Sequence, residues 1–116
     1  MKTALLIALT VFASQLAYAG GDIATGAGKA KPCAACHGPD FNTPVSPDIP
    51  RLAGQHGDYL ARALTDYKSG ARKNAVMDAQ VQALSPQDIQ DLAAYFESLS
   101  GNLKIIRLHR LAGGTH

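Results

Sequence analysis

The run Cys33-Ala34-Ala35-Cys36-His37 gathers two thiols and an imidazole within five residues, and these are the only cysteines of the chain. Thiols three positions apart lie about one helical turn apart. That spacing suits thioether bonds to the two vinyl groups of one porphyrin, and the imidazole that follows can reach the iron from the same face. The pentapeptide has the form of a c-type haem attachment site. Three other chemistries fit less well. A disulfide across so short a loop constrains the unfolded chain very little. A thioredoxin-like dithiol follows a strand, whereas residues 22–31 are rich in Ala, Gly and Lys and show no strand-like alternation. A zinc site lacks a second ligand pair at proper spacing.

An iron held by one histidine is open to substrates; a second protein ligand closes it. Met77 is the only methionine after residue 19, and His56, His109 and His116 are the remaining histidines. A lone methionine is commonly a flexible core filler. Met77 reads instead as part of a loop-like run over residues 70–78, between two helical stretches, where a thioether is available to iron. Methionine paired with histidine raises a haem potential. His56, in Ala53-Gly54-Gln55-His56-Gly57, reads as an exposed or capping residue ahead of a helix, and His109 and His116 as surface groups of the tail. A bis-histidine iron stays open as the alternative.

The elements that must position these groups read as helices. Residues 22–31 predict a short helix leading into the cysteines. Its Gly26 and Gly28 weaken it alone but allow close approach to another helix. Pro39, Pro44, Pro47 and Pro50 forbid a regular element over residues 38–50. Tyr59, Leu60, Ala63, Leu64 and Tyr67 recur at helical spacing from Gly57 or Asp58 until Gly70 stops the pattern. Ser85-Pro86-Gln87-Asp88 opens a last helix, as cap, first-turn proline and favourable acidic group. Ile89, Leu92, Ala93, Phe96 and Leu99 form its apolar stripe, and Gly101 ends it. The fold class is all-α: three main helices and long loops.

The chain has 116 residues, 47% hydrophobic and 17% charged, with 6% aromatics and no Trp. That fits one small domain, short of core material, and is too apolar for a disordered chain. A porphyrin supplies an apolar plate for such a chain to wrap. A net charge of +2 without a long basic run argues against nucleic acid. Met1-Lys2-Thr3, the apolar run Ala4 to Ala13 and Ala17-Tyr18-Ala19 make the three-part pattern of a secretory signal peptide over residues 1–19. Cleavage after Ala19 leaves a mature chain of ten basic and nine acidic residues, since only Lys2 is lost. No later stretch is long or apolar enough to cross a bilayer. The expected destination is the periplasm, where such haems are attached.

The sequence resembles the class I c-type cytochromes, and within them the small bacterial types, including one half of the dihaem c-four group. The resemblance rests on Cys33-Ala34-Ala35-Cys36-His37-Gly38 and Ile49-Pro50-Arg51-Leu52-Ala53-Gly54-Gln55. It continues through Tyr59-Leu60, Tyr67-Lys68-Ser69-Gly70-Ala71-Arg72 and residues 74–77 to Leu84-Ser85, Ile89 and Leu92-Ala93-Ala94-Tyr95-Phe96. It spans about residues 21–100. It implies that the terminal helices cross beside one covalently bound haem c. It implies Cys33 and Cys36 on the vinyls, His37 and Met77 as axial ligands, and the Pro50 carbonyl accepting from the His37 ring. Arg51, Arg72 or Lys73 would pair with the haem propionates. The chain departs from the two-haem members in having a single attachment motif. Its cytochrome domain covers 20–101, and residues 102–116 form a basic, partly apolar extension, read as a packed or frayed end or a docking segment for a partner or membrane.

With both axial positions filled, one-electron transfer is the remaining chemistry, at a positive potential. The expected partners are redox proteins, one donor and one acceptor. Lys29, Lys31, Lys68, Arg72 and Lys73 flank the site in sequence; if they ring the haem edge they steer an acidic partner, and otherwise they are a scattered solvated surface. Two rival readings are a five-coordinate haem enzyme or gas sensor, and a haem subunit of a larger oxidoreductase.

Overall fold

The computed structural model describes residues 20–103. Residues 1–19 and 104–116, and with them the leader, His109, His116 and most of the extension, lie outside the described residues. In chain order the elements are α1 (Ile23–Lys29), a 3-10 turn (Lys31–Cys33), α2 (Ala34–His37), α3 (Gly57–Ser69), α4 (Ala75–Val81) and α5 (Pro86–Ser98). Among the described residues every regular element is helical.

Helix α1 starts where the Asp22 side chain accepts the Thr25 N–H at 2.6 Å. Seven residues are too few for an isolated helix in water, so its stability comes from α5, against which it packs. The approach is close because Gly26 carries no side chain. A Cβ there would run into the Asp91 carbonyl and stand 2.8 Å from the Tyr95 Cβ. Gly28 does not share this role: a Cβ there meets nothing within 4 Å.

Helix α5 begins with a reciprocal cap. Ser85 Oγ accepts the Asp88 N–H at 3.1 Å, and Asp88 accepts the Ser85 N–H at 2.9 Å. Ile89, Leu92, Ala93 and Phe96 are buried as their spacing requires. The helix ends at Ser98, earlier than Gly101, because Leu99 turns to extended backbone (φ −78°, ψ 143°). Helix α3 stops at Gly70, whose φ of +83° is left-handed and suits glycine. Its apolar face is narrower than the sequence pattern suggests. Leu60 and Ala61 are buried, whereas Tyr59 is 51% exposed.

The core is made by Ala30, Phe41, Ala53, Leu60, Ala61, Ile89, Leu92, Ala93 and Phe96, with Cys33 and Ala34 packed against it. Phe41 joins the loop to α5. Its ring meets Phe96 edge-on at 4.9 Å and Tyr95 at 5.9 Å, and its carbonyl accepts the Leu52 and Ala53 N–H groups at 2.8 and 3.0 Å. Phe41 adopts φ +55°, a left-handed conformation costly for a bulky residue. Burial of its ring, about 1.5–3 kcal/mol, offsets that strain.

A buried polar group closes the α1–α5 contact. Asp91 is 3% exposed. Its Oδ1 accepts from the Asp22 N–H at 2.8 Å and from Gln87 Nε2 at 2.9 Å, and its Oδ2 faces Lys29 Nζ at 3.3 Å. Lys29 also pairs with Asp88. These bonds to the charged form hold the Asp91 carboxyl below its ordinary value.

Candidate haem site

The attachment motif folds as two consecutive short turns. Cys33 ends the 3-10 turn and caps α2; Cys36 and His37 belong to the single turn of α2. Both thiols are free, Cys33 half-buried and Cys36 exposed. Burial pushes the Cys33 thiol above its ordinary value. Gly38 follows with φ +90°, and a Cβ there would strike the Thr43 carbonyl, so the chain turns off α2 only with glycine.

His37 is 7% exposed. Its Nδ1 lies 2.8 Å from the Pro50 carbonyl oxygen. A carbonyl only accepts, so Nδ1 carries a proton, and in the neutral ring the lone pair is then on Nε2. That tautomer is the one a metal needs at Nε2, and the Pro50 bond fixes the ring. Pro50 is delivered by the irregular segment after Gly38, as its prolines require. Asp40 accepts the Asn42 and Thr43 N–H groups at 2.9 Å each, and the Val45 N–H donates to the Cys36 carbonyl at 3.0 Å.

Met77 is not in a loop. It lies in the first turn of α4, half-buried. Asn74 is the cap: its Oδ1 accepts the Val76 and Met77 N–H groups at 3.1 Å each, and its own N–H donates to Asp78 Oδ1 at 3.3 Å. An asparagine before Ala-Val-Met-Asp-Ala is a helix-start signal; reading residues 70–78 as one run hides it. Val81, fully buried, anchors the far end of α4. Lys68 of α3 donates to the Leu84 carbonyl beyond that end.

The basic residues do not form one free set. Lys29 is engaged by Asp88 and Asp91, Lys68 by Leu84, and Arg72 by two tyrosines of α3. The Arg72 guanidinium stands 4.9 Å over the Tyr67 ring, and Nη1 is 3.5 Å from Tyr59 Oη. The Tyr59 hydroxyl beside the guanidinium, chiefly, raises the Arg72 pKa above its ordinary value. Among the described residues Lys31, Arg51 and Lys73 make no ion pair. His56 is exposed at the start of α3 and its side chain makes no capping bond.

The donor set fits haem c: two free thiols one turn apart beside an imidazole whose Nε2 is kept for a metal. Apolar side chains left outside the core also suit a flat macrocycle. Val45 (67% exposed) bonds through its N–H to Cys36, and Val76 (61% exposed) precedes Met77. Among the described residues no group of three or more His, Cys, Asp or Glu side chains could hold a metal ion, so a zinc site has no ligand set there.

Comparison with known proteins agrees with this geometry. The family model described as Cytochrome c matches residues 23–100. Cytochrome c4 of Azotobacter vinelandii is 42% identical over 106 residues, covering 84% of this chain and 50% of that protein. Cytochrome c-554(548) of Halomonas halodenitrificans is 42% identical over 81 residues, covering 67% of this chain and 96% of that one. The crystal structure of reduced recombinant cytochrome c4 from Pseudomonas stutzeri superposes with a TM-score of 0.67 at 41% identity, over 72% of this chain and 48% of that chain. The chain spans about half the length of the cytochrome c4 relatives that it matches. With this domain, the matching helical fold and the paired thiols beside a metal-ready imidazole, the chain belongs to the cytochrome c family, and covalently bound haem c is its cofactor.

Proposed function

We propose that residues 20–101 form a monohaem electron carrier of the periplasm, exported by residues 1–19 acting as a cleaved signal peptide. Cys33 and Cys36 would hold haem c by thioethers, and His37 and Met77 would ligate its iron. The observation that carries this reading is the 2.8 Å bond from His37 Nδ1 to the Pro50 carbonyl, because it reserves Nε2 for iron beside two free thiols. When bound, haem c supplies a reversible one-electron couple.

The chain's own residues set how that couple behaves. Pro50 holds the His37 ring and its basicity constant. The Met77 thioether is a soft ligand that favours the reduced iron, so the potential is positive. Two side chains that stay in place in both oxidation states keep reorganisation small and leave no position for a substrate. Electrons pass to and from redox protein partners, and of the five basic residues flanking the site in sequence, Lys31 and Lys73 are exposed and left to steer an acidic partner.

The test is spectroscopic. Protein matured with haem attached shows, when oxidised, the near-infrared charge-transfer band of a sulfur–iron bond. Met77→Ala abolishes the band, lowers the potential and opens the iron to carbon monoxide in the reduced form, with haem still attached. A wild-type protein that lacks the band and binds carbon monoxide is an open-site haem protein instead. An unchanged potential in Met77→Ala removes Met77 from the iron.

A further inference from the structure

The connection between α3 and α4 is exposed from Ser69 through Val76, so no apolar burial holds it in place. Met77 sits at this exposed end of α4, four residues from the buried Val81. Beside short-range turn bonds at Gly70 and Ala71, Arg72 ties the connection to α3. Its N–H donates to the Asp66 carbonyl at 3.0 Å, and its guanidinium lies 4.9 Å over the Tyr67 ring. The Tyr59 contact, at 3.5 Å, is long for a hydrogen bond and adds less. Only Lys73 separates Arg72 from Asn74, whose side chain holds the Met77 N–H.

We propose that Tyr67 and Arg72 form a clamp that fixes Asn74, and through its cap keeps Met77 seated on the iron. Both are positioning residues. The inference rests on the assignment of Met77 as ligand made above, and it gives Arg72 a role that does not need a haem propionate. The two roles separate cleanly: replacing Tyr67 removes the platform and leaves the Arg72 charge.

The experiment uses the oxidised holoprotein and two readouts: the pH at which the sulfur–iron band is lost, and the affinity of the ferric form for added imidazole. An exposed cation–aromatic contact is worth about a threefold change in an equilibrium. Tyr67→Leu is therefore expected to raise imidazole affinity about threefold and to lower the pH of band loss by about half a unit. Arg72→Leu gives the same change or a larger one. Tyr67→Phe keeps the ring and leaves both readouts at wild-type values. Arg62→Leu, which breaks only the 3.0 Å surface pair with Asp66 on α3, also leaves them unchanged. A wild-type band that Tyr67→Leu does not move, or that Arg62→Leu moves equally, overturns the clamp. A wild-type protein without the band overturns the ligand assignment itself, and the clamp with it.

Discussion

His37 is fixed through contacts that cross long stretches of chain, whereas Met77 is fixed by its immediate neighbours. The His37 ring is bonded to Pro50, thirteen residues on. The loop between them is locked by Phe41 onto Phe96 and Tyr95 of α5, and the Gly54 N–H bonds the Phe96 carbonyl at 2.9 Å. Met77 depends on Asn74 three residues before it and on a surface stack. The histidine side is thus tied to the core through Phe41 and Ala53. The methionine side can open locally at a small free-energy cost. For a proposed electron carrier this division places the weaker iron contact on the weaker scaffold.

The largest expected effect breaks the strong side. Phe41→Ala removes a buried ring that joins the loop to α5, and a buried Phe→Ala change costs about 3–5 kcal/mol. Urea unfolding of the holoprotein followed by far-UV circular dichroism measures it. A loss below about 1 kcal/mol, typical of a surface site, means that the loop is not locked by this residue, and the contrast between the two sides fails. Asn74→Ala probes the weak side. Losing an asparagine cap costs about 1 kcal/mol, and amide exchange at Val76 and Met77 is expected to speed up while the Phe96 amide stays protected. Equal acceleration at Phe96 would show that α4 opens only with the whole fold.

Much of this was readable in the residues, and what was not shares one cause. The attachment motif is local and dense with chemistry, so its five residues suffice. The start of α5 and the stop of α3 are local too: Ser85, Pro86 and Gly70 act within a turn of themselves; the stop of α5 at Ser98 carries no such signal. Gly26 and Gly28 looked alike because sequence cannot say which glycine meets α5; only the Asp91 carbonyl and the Tyr95 Cβ distinguish them. Lys29 looked like a docking cation because Asp88 and Asp91 are about sixty residues away. Phe41 fell in a proline-rich stretch without periodicity, so its place in the core had no local signal. Helix α4 is the exception, since its Asn74 cap was present in the sequence. A run of glycine and basic residues ahead of it masked the start of the helix.

The smallest expected effect concerns the frame behind the histidine side. Asp88 is held down from 3.8 to about 2, first by its pairing with Lys29 and then by the Ser85 N–H. Its folded value lies below its unfolded one, so its contribution is complete above 3.8 and is lost as pH falls through about 2. Asp91 shifts in the same direction, chiefly through the Asp22 N–H. Melting temperature is therefore expected to be flat from pH 7 to about 5 with respect to these two groups and to drop on further acidification. Asp88→Asn removes one of them, with a modest loss at neutral pH because a solvent-facing pair is screened. It also makes the acid decline shallower than in the wild type. The difference between the two melting profiles reports Asp88 together with the Lys29–Asp91 pair it shares a lysine with, since protonation of the groups outside this cluster is common to both proteins. Parallel profiles would mean that the Lys29–Asp88 pair does not hold α1 against α5 in solution. The support of α5, and through Phe41 of the histidine loop, would then rest on Asp91 and apolar packing alone.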